Sequence, residues 1–212
     1  MHLTRADIDA MERRERAALI NSVTGFKPAN LVGTVDGDGQ TNLAILSSCV
    51  HIGSNPPLLA LIFRPDSVER HTLDNIRASG HYTINHVNHD IIEAAHQTAA
   101  SYPRDVSEFD ATGLTPRWSS DFPAPFVEES LVCIGMRLRE EIPLQVNGCH
   151  MVIGEIVSLD VPEDSIDATS ALDLQKTTTS ALAGLDSYYS VSLERRMAYA
   201  KPDQLPRRLD VD

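Results

Sequence analysis

The sequence predicts a mainly β chain of the α+β type, an antiparallel barrel, closed or split, with peripheral helices, and three observations carry that expectation. The run "NLVGTVDGDGQTNLAILSSCVHI" holds two β-rich segments around Asp36-Gly37-Asp38-Gly39, whose glycines can take the positive φ a tight hairpin turn needs. A second pair, "LVCIGMRLREEIPL" and "HMVIGEIVSLDV", is separated by the turn signal Asn147-Gly148. Helices are interposed only in the middle, which argues against a doubly wound parallel sheet, where strand and helix alternate throughout.

Taken in order, residues 1–25 read as a helical lead-in, with Thr4 as N-cap and a largely solvated face rich in Ala, Glu and Arg. After the Asp-Gly hairpin and Pro56-Pro57 comes the strand "LLALIF", then the helix "SVERHTLDNIRASG" ending at Gly80, then the strand "HYTINHV". "DIIEAAHQTAASY" suits an amphipathic helix with Asp90 near its start. Residues 103–125 hold four prolines and little periodicity, a long excursion over the surface or across a partner subunit. About six strands result, within one domain spanning residues 26–162, and residues 163–212 are expected to form a helical extension packed on the barrel or on a dimer partner.

With 30 acidic against 18 basic residues the net charge is -12, so a general phosphate-backbone binder is disfavoured and any anionic ligand requires a local basic pocket. The expectation is no nucleic acid and no membrane, because no run approaches the roughly 18 apolar residues of a membrane helix. Cys49, Cys133 and Cys149 are odd in number and dispersed, which fits a reducing cytoplasm and neither a disulfide framework nor a zinc knuckle. His86, His89 and His96 do not share the spacing of a ligand set, so no metal is expected.

Chemistry concentrates in two stretches. In "RPDSVERHTLDNI" a strand hands over to a helix, Ser67 is a good N-cap, and free backbone N–H groups stand beside Arg64 and Arg70. That outlines an anion pocket to which Ser67 and Thr72 add hydroxyls; the alternative is a capped surface helix with solvated arginines. In "TNLAILSSCVHIGSNPPLLALIF", strand alternation puts Asn42, Ala44, Leu46 and Ser48 on one face and Leu43, Ile45, Ser47 and Cys49 on the other, and Ser47-Ser48 at the strand end need partners in the protein or in a ligand. Cys49 and His51 share a face, yet nothing nearby orients the histidine, so a packed cysteine is preferred to a nucleophile.

The ordered set "FKPANLVGTVDGDGQTNLAILSS", "NPPLLALIF", "RHTLDNIRASGHYTINHV", "SYPRDVSEFDATGLTP" and "MVIGEIVSLDV" resembles the flavin reductase-like, FMN-binding split-barrel family over residues 26–161, with a weaker echo in "LAGLDSYYSV". The resemblance implies the split form of the barrel and a homodimer with FMN at its interface. It implies that Ser47, Ser48 and Cys49, beside the Asn42 strand, approach the flavin ring, and that Arg64, Arg70 and Thr72, with Ser67 and Asn75, hold the phosphate. Related flavin reductases often carry Gly-Asp-His near the nicotinamide donor; here Cys149 precedes His150, which leaves His150 either beside that donor or as a plain strand-entry residue. Tyr188 and Tyr189 either pack a C-terminal helix or approach the flavin pocket or the dimer partner, and Trp118 either anchors the excursion or covers the flavin. The function implied is an FMN-dependent oxidoreductase passing hydride from NADH or NADPH to a small-molecule acceptor. The alternative is a non-catalytic FMN carrier or electron-transfer module.

Overall fold

The computed structural model describes residues 1–65 and 71–209. Two short helices lead in, α1 (Arg5–Ala10) and α2 (Arg13–Ser22). Thr4 caps α1 through a reciprocal capping box with Asp7, and the extended Met11 breaks what reads in sequence as one helix.

The strands follow as β1 (Lys27–Pro28), β2 (Asn30–Val35), β3 (Thr41–Leu46), β4 (Cys49–Ser54) and β5 (Pro57–Phe63). Then come α3 (His71–Ser79), β6 (His81–His86), α4 (Ile92–Gln97) and α5 (Glu108–Thr112). The remainder is β7 (Pro116–Ser119), β8 (Phe122–Val127), β9 (Cys133–Leu144), β10 (Cys149–Asp160), β11 (Ser180–Ala183), β12 (Ser187–Ser190), β13 (Arg196–Met197) and β14 (Arg208–Leu209).

Seven strands form one sheet in the order β3-β2-β6-β9-β10-β5-β4, with every pairing antiparallel. Its two edges, β3 and β4, do not pair with each other, so the sheet is open and the closed barrel is ruled out for the described residues. Both expected hairpins are present: β2–β3 turns through Asp36, whose carboxylate accepts from the N–H groups of Asp38 and Gln40, and β9–β10 turns through Asn147-Gly148. Gly80, at φ +71, ends α3 with its N–H on the Ile76 carbonyl.

The main core packs Val32, Leu61, Phe63, Tyr82 and Ile84 of the sheet against Leu73 and Ile76 of α3. A second cluster joins Leu31 and Leu43 on the other face of the β2–β3 hairpin to Ala95 of α4 and Phe109 of α5. Gly33 marks a tight spot against backbone, because a Cβ there would meet the Pro125 carbonyl oxygen and the Thr83 hydroxyl.

The excursion at residues 103–125 contains α5 and most of the β7–β8 hairpin, and Trp118 lies exposed on β7. One expectation is corrected. Residues 163–209 contain no α-helix; they form a 3-10 turn at Glu163–Ser165, the β11–β12 hairpin and the β13–β14 pair. The reason is a free strand edge: β1 pairs with β11, and the alternating "SALA" and "SYYS" segments close a three-stranded sheet on it.

Candidate functional site

An exposed edge strand must have its outward N–H groups covered, and β3 shows how. Glu108 of α5, only 6% exposed, accepts from the Leu43 N–H at 2.8 Å and from Asn42 Nδ2 at 2.7 Å. Thr98, after α4, accepts from the Ile45 N–H at 3.0 Å. The segment from α4 to α5 is thereby pinned along β3, and the space it leaves beside the end of that strand is a cavity of about 1190 Å³.

The cavity is lined by residues 44–48 at the end of β3, by Ile62–Arg64 at the end of β5, and by His71 and Thr72 at the start of α3. The loop of residues 98–104 and the β9–β10 turn, through Asn147 and Cys149, form further walls. The rest comes from α2 and from the β11–β12 hairpin, where Tyr188 presents its hydroxyl 3.1 Å from His96 Nδ1. Among the described residues, three cations, Lys27, Arg64 and Arg104, line it against one carboxylate, Glu108, on a chain whose net charge is -12. That is the local basic pocket an anionic ligand requires.

The structure divides the residues singled out from sequence. Asn42, Ser47, Ser48, Arg64 and Thr72 all line this cavity. Thr72 is buried and donates its hydroxyl to Asn42 Oδ1 at 2.6 Å, while Asn75 donates to the Thr34 hydroxyl at 3.2 Å beside a small recess shared with Asp36 and Gln40. Their side chains therefore hold the start of α3 onto the β2–β3 hairpin, and the Thr72 proton is already committed. Ser48 is tied to Ile62 through its hydroxyl at 2.7 Å and through its carbonyl, which accepts from the Ile62 N–H. Arg64 is exposed and has no carboxylate partner among the described residues. Ser67 and Arg70 lie outside the described residues.

Cys49 is not among the described residues lining the cavity; it packs on the main core, where burial pushes its thiol up to about 11. A neutral, core-packed thiol is a poor nucleophile. His150 also lies away from the cavity: Cys149 faces it, and strand alternation turns the next ring to Glu141 Oε1 at 2.7 Å and Arg77 Nη2 at 3.3 Å. His86, His89 and His96 reach different partners, Thr179, Asp90 and Tyr188, and no group of three metal-type ligands occurs among the described residues.

Sequence reasoning missed the walls made by α2 and by residues 98–104 as cavity lining. The excursion motif "SYPRDVSEF" carried a signal, since a long loop in a small domain usually has a job, and "LAGLDSYYSV" carried one for the β11–β12 wall.

Comparison with known proteins decides the family, because the flavin reductase like domain matches residues 26–180. The chain belongs to the flavin reductase-like domain family. It is 50% identical to a Shewanella frigidimarina protein described as a flavin reductase with a split barrel domain, covering 94% of this chain and 100% of that one with a TM-score of 0.91. Flavoredoxin of Desulfovibrio vulgaris is 25% identical over 84% of this chain and 92% of its own, with a TM-score of 0.68. Nitrilotriacetate monooxygenase component B from Bacillus cereus, 20% identical over 92% of this chain and 98% of its own at a TM-score of 0.81, shares the fold. Membership supports a flavin cofactor, and no helix among the described residues is long and apolar enough to cross a membrane.

Proposed function

We propose that the chain is an FMN-dependent oxidoreductase of the split-barrel type, working as a homodimer with NADH or NADPH as electron donor and a small molecule as acceptor. The observation that carries this reading is the cavity beside the β3 end, with Arg64, which has no carboxylate partner among the described residues, following β5. The donor set fits FMN: an arginine fork suits a phosphate, and strand ends with apolar neighbours suit a flat ring that needs polar groups only at its edge. In this assignment Arg64 holds the phosphate, and Ser67 and Arg70, which lie outside the described residues, are assigned to it by the family resemblance alone. Ser47 and Ser48 meet the ring, and Asn42, Thr72 and Asn75 keep the start of α3 in place.

FMN, when bound, supplies hydride chemistry, taking two electrons from a reduced nicotinamide and passing them on. That step requires no protein acid or base, so the chain contributes orientation, exclusion of water and the placement of charge. Acceptor-facing groups come from residues 98–104 and from Tyr188. A second reading, a non-catalytic FMN carrier or electron-transfer module, is favoured by one observation: His150 is held by Glu141 and Arg77, away from the cavity.

The deciding test is the visible spectrum of gently purified protein before and after adding FMN and desalting, followed by NADH and NADPH without oxygen. Retained flavin bands that bleach with either donor support the oxidoreductase. Retained bands that neither donor bleaches favour the carrier, and protein that never retains flavin sinks both.

A further inference from the structure

The cavity is larger than the roughly 300–1,000 Å³ typical of a site for one small ligand, and its cations do not all stand together. Arg64 follows β5 of the large sheet, and Arg104 also borders the recess beside Asp36 and Asn42. Lys27 lies instead on β1, in the separate three-stranded sheet. Its ammonium donates to the Asn21 carbonyl at 3.1 Å and to the Gly184 carbonyl at 2.9 Å, which ties α2 to the β11–β12 turn. An ammonium carries three protons, so one remains for the cavity, and no carboxylate among the described residues pairs with it.

Around Lys27 the wall is apolar. Ile20 and Leu185, 45% and 47% exposed, face open space in the same cavity as Leu182. Tyr188, its hydroxyl held by His96, adds an aromatic surface. A single ammonium with one proton to give supplies one charge and one donor, which matches a monoanion more fully than a dianion. Apolar walls around one fixed cation suit a carboxylate on an organic body.

From this we infer that the part of the cavity between α2 and the β11–β12 hairpin is a separate site for an organic carboxylate, anchored by Lys27. The inference rests on the flavin reading only in leaving the Arg64 side of the cavity to FMN.

The test is isothermal titration of benzoate and of its uncharged isostere benzamide into the full chain, with and without saturating FMN. Benzoate is expected to bind in both states, about ten- to a hundredfold more tightly than benzamide, as loss of one charge-assisted contact implies. Lys27→Met is expected to erase that preference while FMN affinity stays unchanged, and Lys27→Arg to retain most of it. Equal binding of benzoate and benzamide by the unaltered chain overturns the site, and needs no variant that might loosen α2. Competition between benzoate and FMN, or a loss of FMN affinity in folded Lys27→Met, also overturns it, since Lys27 would then serve the flavin. Failure of FMN to bind at all sinks the oxidoreductase reading and leaves the benzoate preference a test of Lys27 alone.

Discussion

The two ends of the β2–β3 hairpin are built from the same strands and treat their buried polar groups in opposite ways. At one end, Thr34 and Asn42 face each other across the pair and join Thr72, Asn75 and Glu108 in a network in which each side chain has a partner. At the other end, Asn30 stands between Leu46 and His86, 1% exposed, and neither atom of its side-chain amide has a hydrogen bond among the described residues. His86 beside it is driven by burial down to about 4. Buried polar groups stabilise only when satisfied, so the first end is the scaffold of the site, and the second is a cost that the fold tolerates beside Ser47 and Ser48.

The largest effect is expected where the scaffold has no room at all. Gly33→Ala drives a methyl into the Pro125 carbonyl, which is backbone and cannot step aside, and is expected to cost about 3 kcal/mol or more in chemical denaturation. A change within 0.5 kcal/mol would mean that the β8 backbone moves freely. Next comes pH. The folded pKa of His86 lies below its unfolded value near 6.5, so its stability contribution is intact above pH 6.5 and is lost as pH falls toward 4. The loss is on the order of 3 kcal/mol, read as a falling denaturation midpoint that His86→Gln flattens over the same window.

Asn42→Ala leaves Glu108, Thr72 and Thr34 short of partners, and about 2–3 kcal/mol of stability is expected to go with it. Arg64→Ala separates holding from binding: the melting temperature of the flavin-free protein should hardly move, while FMN affinity should fall about ten- to a hundredfold in a fluorescence titration. Unchanged affinity would remove Arg64 from the phosphate. The smallest effect, and the sharpest contrast with Asn42, is Asn30→Ala, expected to leave stability unchanged or raised by up to about 1 kcal/mol because an unpaired amide leaves the interior. A loss as large as that at Asn42 would show that Asn30 has a partner in solution, such as a second copy of the chain.

Much of this was legible along the chain because it is local. Asp36-Gly37-Asp38-Gly39 and Asn147-Gly148 announce their hairpins by turn chemistry, and Gly80 announces the end of α3. The C-terminal segment was misread as helical because "SALA" and "SYYS" are too short to declare a period, and they become strands only where β1 offers an edge.

What the sequence by itself determined is the antiparallel, mainly β architecture, its turns and its family, since each rests on patterns within a few residues or on the order of such patterns. Tertiary structure alone decided which side chains face the cavity. Glu108 reaches Asn42 across 66 positions and Lys27 reaches Gly184 across 157, and no periodicity encodes a contact at such separation. It also decided that Thr72 and Asn75 are spent on bonds within the protein while Arg64 has no carboxylate partner among the described residues, because a hydrogen-bonding side chain is spent or available according to neighbours that only the fold supplies.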